Sequence, residues 1–184
     1  MREVFGQSTH ENQNSIHSHG NYVFSVGLLP QAQAISPTQD GCYSNFTTAE
    51  GCTAFSLLGA GAGNTGIAWY SLFLVRDVNY NTGLGAGALV LNNADSNTAV
   101  GAAALLLNTS GPENIAVGSN ALVYNDNGGG NTANGEFAPF TNTTGSLNVA
   151  IGWDALPNND NGSGNVAIGE ESLVNNISAL ITLS

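Results

Sequence analysis

From residue 47 onward, apolar and polar positions alternate with a long, nearly constant period. An Asn opens each unit at Asn64, Asn81, Asn97, Asn114, Asn131, Asn148 and Asn165, in steps of 17, 16, 17, 17, 17 and 17. One further step back lands on Thr47-Thr48-Ala49-Glu50-Gly51, a degenerate first copy, so eight copies cover about residues 47 to 180. Within a unit the consensus reads Asn-Thr-Ala-Val-Gly-x-x-Ala-Leu-x-x-Asn-x-x-Gly-x-x. Position 4 carries Val100, Val117, Ile151 and Ile168, and position 9 carries Leu89, Leu105, Leu122, Leu156 and Leu173. Position 12 is Asn92, Asn108, Asn125, Asn142, Asn159 and Asn176.

Seventeen residues are too few for a helical-hairpin repeat, which needs about 34. Recurrent Gly and Asn also oppose helix. The first five residues fit a short strand, followed by a turn at Gly, a second extended piece holding Ala-Leu, and a turn through Asn-x-x-Gly. A single unit cannot hide its apolar side, but stacked units can. The predicted fold is therefore all-β, a parallel β-roll or β-solenoid of about eight 17-residue coils, with equivalent residues about 4.8 Å apart. The Leu and Val/Ile columns then form continuous stripes, and the Asn column hydrogen-bonds along the stack. Position 3 is always Ala or Gly. That face either packs tightly within the coil or receives a neighbouring chain.

Some units depart from the pattern. Asn134 replaces the aliphatic at position 4, and Pro139 replaces Leu at position 9, which predicts the weakest coil between Asn131 and Leu147. Trp69, Tyr70, Phe73 and Leu74 replace polar turn residues and read as extra core or a cap.

Composition narrows the functional classes. Two Arg and no Lys stand against 13 acidic residues, a net charge of 2 − 13 = −11. A chain with so few cations is no nucleic-acid binder and is not drawn to anionic lipid. With three His and two Cys, most catalytic constellations cannot be assembled, and no cofactor or metal motif is present. The reading is that of a non-enzyme. Acidic residues are scattered over the turns, without the dense Gly-Gly-x-Gly-x-Asp calcium repeat. The sequons headed by Asn45, Asn108, Asn142, Asn161 and Asn176 arise by chance in an Asn- and Thr-rich repeat.

The region before the repeat is organised differently. Residues 1–46 comprise a polar tail, then Tyr22-Val23-Phe24-Ser25-Val26-Gly27-Leu28-Leu29-Pro30 and Ala32-Gln33-Ala34, then a cap. The apolar run resembles the end of a secretory signal and is too short for a membrane span. Residues 181–184 form a short C-terminal tail. In an exported protein Cys42 and Cys52 are candidates for a disulfide that fastens the cap, the alternative being two free thiols. His17 and His19 lie in the polar tail and read as solvated.

The run Asn97-Thr98-Ala99-Val100-Gly101, Ala104-Leu105 and Asn108-Thr109-Ser110-Gly111 resembles the head repeats of YadA-like trimeric autotransporter adhesins. It is similar also to the Asn-Thr-Ala-Ile-Gly repeats of bacterial surface and tail-fibre-like proteins. The resemblance spans about residues 47 to 180 and carries no catalytic residue. It implies a left-handed, trimeric parallel β-roll displayed outside the cell, secreted or at the cell surface, or on a virion tail fibre. Its partners would be copies of itself, with a surface receptor or glycan. The period of 17 is longer than that of the adhesin heads. Two other readings compete. An ice-binding β-solenoid would use the Thr ladder Thr48, Thr65, Thr82, Thr98 and Thr132, interrupted by Ile115, Val149 and Val166. A carbohydrate-active β-helix would need a carboxylate pair such as Asp154 and Glu170.

Overall fold

The Asn-led segments form three-residue strands that stack in the register set by the repeat. The computed structural model describes residues 41–43, 47–51, 53–56, 59–138 and 141–176, all within the unit Thr38–Ser184, with side chains from residue 47. Eleven strands are present among them: β1 Gly41–Tyr43, β2 Thr47–Glu50, β3 Thr65–Ile67, β4 Thr82–Leu84, β5 Thr98–Val100, β6 Ile115–Val117, β7 Tyr124–Asn125, β8 Thr132–Asn134, β9 Thr141–Asn142, β10 Val149–Ile151 and β11 Val166–Ile168. Nine of these make one sheet in the order β1-β2-β3-β4-β5-β6-β8-β10-β11. From β2 to β11 all pairings are parallel, and each residue faces its repeat equivalent, as in Ala99↔Ala116 and Val149↔Val166. The chain is thus a β-solenoid of about seven turns built from eight stacked rungs. At its N-terminal end β1 pairs antiparallel with β2, which blocks continuation of the stack there.

Each rung is tied to the next by backbone bonds on every side of the coil. The Thr98 N–H donates to the Asn114 carbonyl at 2.8 Å, and the Gly118 N–H donates back to Val100 at 2.8 Å. Across the coil, the Leu105 N–H donates to Ala121 at 3.0 Å. The Ala-Leu piece is a turn and not the extended segment expected from sequence. Leu72, Leu89, Leu105, Leu122, Leu156 and Leu173 all have φ between 49° and 55°. Among the described residues a second sheet is formed where β7 pairs with β9, at positions 11 and 12, extended by a bridge from Thr141 to Asn158.

Face assignment follows from the width of the coil. Positions 1 and 3 point inward, so Asn97 and Ala99 are fully buried, as are Ala116, Ala133, Ala150 and Ala167. Across the lumen they meet Ala104, Leu105 and their equivalents, each buried Leu contributing about 2 kcal/mol. The lumen has no spare room. At Gly66 an added Cβ would lie 2.6 Å from the Phe55 ring, and at Gly83 it would lie 2.6 Å from Ser71 Oγ. The small-residue face therefore packs within its own coil, and no neighbouring chain can lie against it. The core divides into two clusters around the Asn131–Leu147 coil, one ending at Ala133 and the other starting at Ala138. Pro139 itself lies outside the described residues.

Two buried Asn ladders replace the solvation that an irregular coil would need. At position 1, Asn Oδ1 accepts the backbone N–H of the next coil's Asn, from Asn81 onto Asn64 through Asn165 onto Asn148, at 2.9–3.0 Å. At position 12, each Nδ2 donates to the preceding coil's Oδ1 at 2.6–2.7 Å, from Asn108 onto Asn92 through Asn159 onto Asn142. From Asn108 to Asn159 the same Nδ2 also donates to the carbonyl three residues ahead, closing the turn. Buried amides are thereby satisfied on both sides. The second ladder ends one step earlier than expected: Asn159 Oδ1 and Asn176 Nδ2 have no partner.

The 16-residue coil keeps its rung. From Asn81 to Asn92 and from Asn97 to Asn108 the spacing is equal, so the missing residue falls in the turn after Asn92. There Asn92 Nδ2 donates to the Ala94 carbonyl, two residues ahead, at 2.8 Å. Among the described residues no helix is long and apolar enough to cross a membrane.

Candidate functional site

Positions 2 and 4 of each rung point away from the coil, the consequence of burying position 3. They form two parallel columns on one sheet face. One column runs Thr48, Thr65, Thr82, Thr98, Ile115, Thr132, Val149 and Val166. The other runs Glu50, Ile67, Leu84, Val100, Val117, Asn134, Ile151 and Ile168. The expected Val/Ile stripe thus exists, but it lies outside the core. Ile168 is 59% exposed, Ile115 44%, Leu84 43% and Ile151 39%. With rungs about 4.8 Å apart, the columns run roughly 34 Å, separated by about 7 Å.

The electrostatics of this face are as distinctive as its hydropathy. In a chain of net charge −11, only Glu50, at the N-terminal rung, places a charge on it. The other carboxylates of the described coils sit at the turns. Asp77 accepts the Ala60 N–H at 2.9 Å, and Asp95 accepts the Asn79 N–H at 2.8 Å. Asp126 and Asp160 accept the hydroxyls of Thr109 and Thr143 one coil earlier. The face is therefore nearly uncharged and carries contiguous, partly exposed aliphatic side chains.

The remaining candidates distribute as follows. The Leu column is buried from Leu72 to Leu156 among the described positions, while Leu173, in the last coil, is only partly buried. Asp154 and Glu170 are not in one column: Glu170 follows Trp153, and Glu171 follows Asp154. Among the described residues no group of three or more His, Cys, Asp or Glu could hold a metal. Trp69 is 59% exposed and stacks edge-on with Tyr70 at 4.2 Å, so it is a surface residue and not extra core. Asn108 and Asn142 are consumed in the buried ladder, which removes them as sequon acceptors in the folded chain. The Cys42–Cys52 pairing lies outside the described residues, since only the backbone of Cys42 is described; it faces Thr48 in the β1–β2 pairing. His17 and His19 also lie outside them.

Reading the sequence alone missed the outward direction of the aliphatic column. The signal available was the invariably small position 3, which fits only the narrow side. Comparison with protein-family models, with curated proteins and with solved structures gave no match.

Proposed function

We propose that the chain is a non-enzymatic structural repeat module that associates with copies of itself as the head or shaft of a surface fibre. The observation that supports this is the outward aliphatic column on a stacked parallel sheet, where Glu50 is the one acidic side chain among the two outward columns. Burying that column removes its apolar surface from water, and the near absence of charge removes the repulsion that a net −11 would otherwise impose. A parallel trimer suits the geometry. Three sheets, each only two outward columns wide, close around a threefold axis with the position-4 columns of the three chains facing one another. The resemblance to trimeric adhesin heads points the same way, with display on a cell or virion surface. The turn surfaces then remain outside for a receptor or glycan.

The test is the mass in solution at micromolar concentration. The expected value is three times the 18.7 kDa chain mass. Val117→Asp combined with Ile151→Asp should give a monomer with an unchanged circular dichroism spectrum. A monomeric wild-type chain would overturn the proposal.

One observation favours a second reading. Thr65, Thr82 and Thr98 stand in consecutive rungs beside Ile67, Leu84 and Val100, a regular Thr-x-aliphatic array on an exposed sheet. That array would suit an ice-binding surface. It requires the face to be free, so thermal hysteresis from a monomer would favour it over self-association.

A further inference from the structure

We infer that Asn134 is the register key of the assembly: a polar residue in the aliphatic column that only the same residue of neighbouring copies, at the same height, can satisfy. This rests on the self-association proposed above and assigns one side chain a role within it.

Asn134 stands between Val117 and Ile151 in the position-4 column, and its side chain points outward. Every other rung from β3 to β11 presents Ile, Leu or Val at that position. The coil itself gives no reason for Asn here, because the side chain faces away from both Asn ladders and from the lumen. Its own rung is otherwise regular: the Gly135 N–H donates to Val117 at 2.8 Å, and the Gly152 N–H donates to Asn134 at 2.9 Å.

An aliphatic column with a short repeat has a weakness. Sliding one copy by a rung restores nearly the same apolar contacts, so such a face does not by itself choose a register. A single buried amide does choose. With three copies at equal height, each Asn134 can donate Nδ2–H to the Oδ1 of the next and accept from the third. Displaced by one rung, it meets Val117 or Ile151, and both its donor and its acceptor go unpaired. A lone polar residue in an apolar seam acts in this way in coiled coils, setting register and strand number.

The position of Asn134 along the stack also sets direction. It occupies the sixth of the eight parallel rungs, with β10 and β11 beyond it. An inverted copy with full overlap would bring the third rung, β4, to the same height and set Leu84 against the amide. Only a parallel, unshifted arrangement matches amide to amide. The occupants are therefore two further copies of this chain.

The experiment uses the full chain with Cys42 and Cys52 replaced by Ser and a spin label at Asn161→Cys, on an exposed turn away from the face. Wild-type assemblies should give a single label-to-label distance. Asn134→Val should keep self-association but add longer distances, growing in steps set by the rung spacing of about 4.8 Å. Moving the key, with Asn134→Val and Val100→Asn together, should restore the single distance. Mixed assemblies of wild type with this double variant should form at least about tenfold less than random mixing predicts, the factor expected from one unpaired amide. A single distance for Asn134→Val, broad distances for the relocated key, or free mixing would each overturn the inference. A monomeric wild-type chain would instead remove the self-association on which it rests.

Discussion

Substituting Gly118 by Ala separates two costs that the stack imposes at the corner after each strand. Gly118 has φ +133°, and an added Cβ would lie 2.5 Å from the carbonyl oxygen of Gly135 in the next coil and 2.6 Å from its carbon. Gly169 occupies the same corner of the last described coil, with φ +119° and nothing within 4 Å of the added atom. Both substitutions strain the backbone, at about 1–3 kcal/mol. Only Gly118→Ala must also push apart two rungs held by the surrounding ladder, adding about 1–3 kcal/mol of overpacking. Gly118→Ala should therefore cost about 2–6 kcal/mol and Gly169→Ala about 1–3 kcal/mol, the difference being the overpacking. Ala68 supplies the opposite sign. It is the one non-glycine in this column among the described residues, and its φ is 97° where the glycines lie between 116° and 147°. Ala68→Gly should stabilise by about 1 kcal/mol. Equilibrium urea unfolding at one fixed protein concentration reads all three. Equal losses for Gly118→Ala and Gly169→Ala would refute the claim that rung contact, and not φ alone, keeps this corner glycine.

Three further outcomes follow from the interior. Leu122→Ala empties a fully buried site between Leu105 and the next coil and should cost about 2–5 kcal/mol in urea unfolding, whereas Leu173→Ala, at a partly buried site, should cost less than half as much. Asn125→Asp replaces a donor that serves Asn108 Oδ1 and the Gly128 carbonyl with an acceptor. The buried carboxyl would be held protonated in the folded state, above its unfolded pKa of about 4, so the folded chain binds more protons and stability should fall as pH rises beyond that value. Thermal melts of this variant at pH 4 and pH 7 should show the higher midpoint at pH 4, the reverse order counting against the ladder's role. Ala103→Gly, at φ 57°, should raise the melting temperature by relieving a left-handed alanine worth about 1 kcal/mol.

Much of this architecture is legible in the residues because a strict period fixes which residues become neighbours. The register of Ala99 on Ala116 follows directly from counting, as does the Asn108–Asn125–Asn142 ladder. The facing of the strands is harder. Hydropathy alone would turn Val100 and Val117 inward and leave Ala99 and Ala116 outside. The opposite arrangement holds because the lumen, already filled by Leu105 and Ala104, admits no more than a methyl group from position 3. Where Phe55 fills it, even that is lost and Gly66 is found. The left-handed backbone at Leu89, Leu105 and Leu122 has no signature at all, since Leu is a poor residue for positive φ. Burial of the whole side chain outweighs a strain of about 1–2 kcal/mol. The candidate face inherits this difficulty: its residues are visible in the sequence, but their exposure is a property of the coil's width.

The sixteen-residue coil shows that length is negotiable at the corner after Asn92. A peptide spliced between Asn92 and Asn97 would emerge as a bulge on the rim while the rungs on either side stayed paired. Whole-unit duplication or loss, by contrast, would lengthen or shorten the rod by one storey without altering any other. Such a scaffold can vary its reach and its decoration separately.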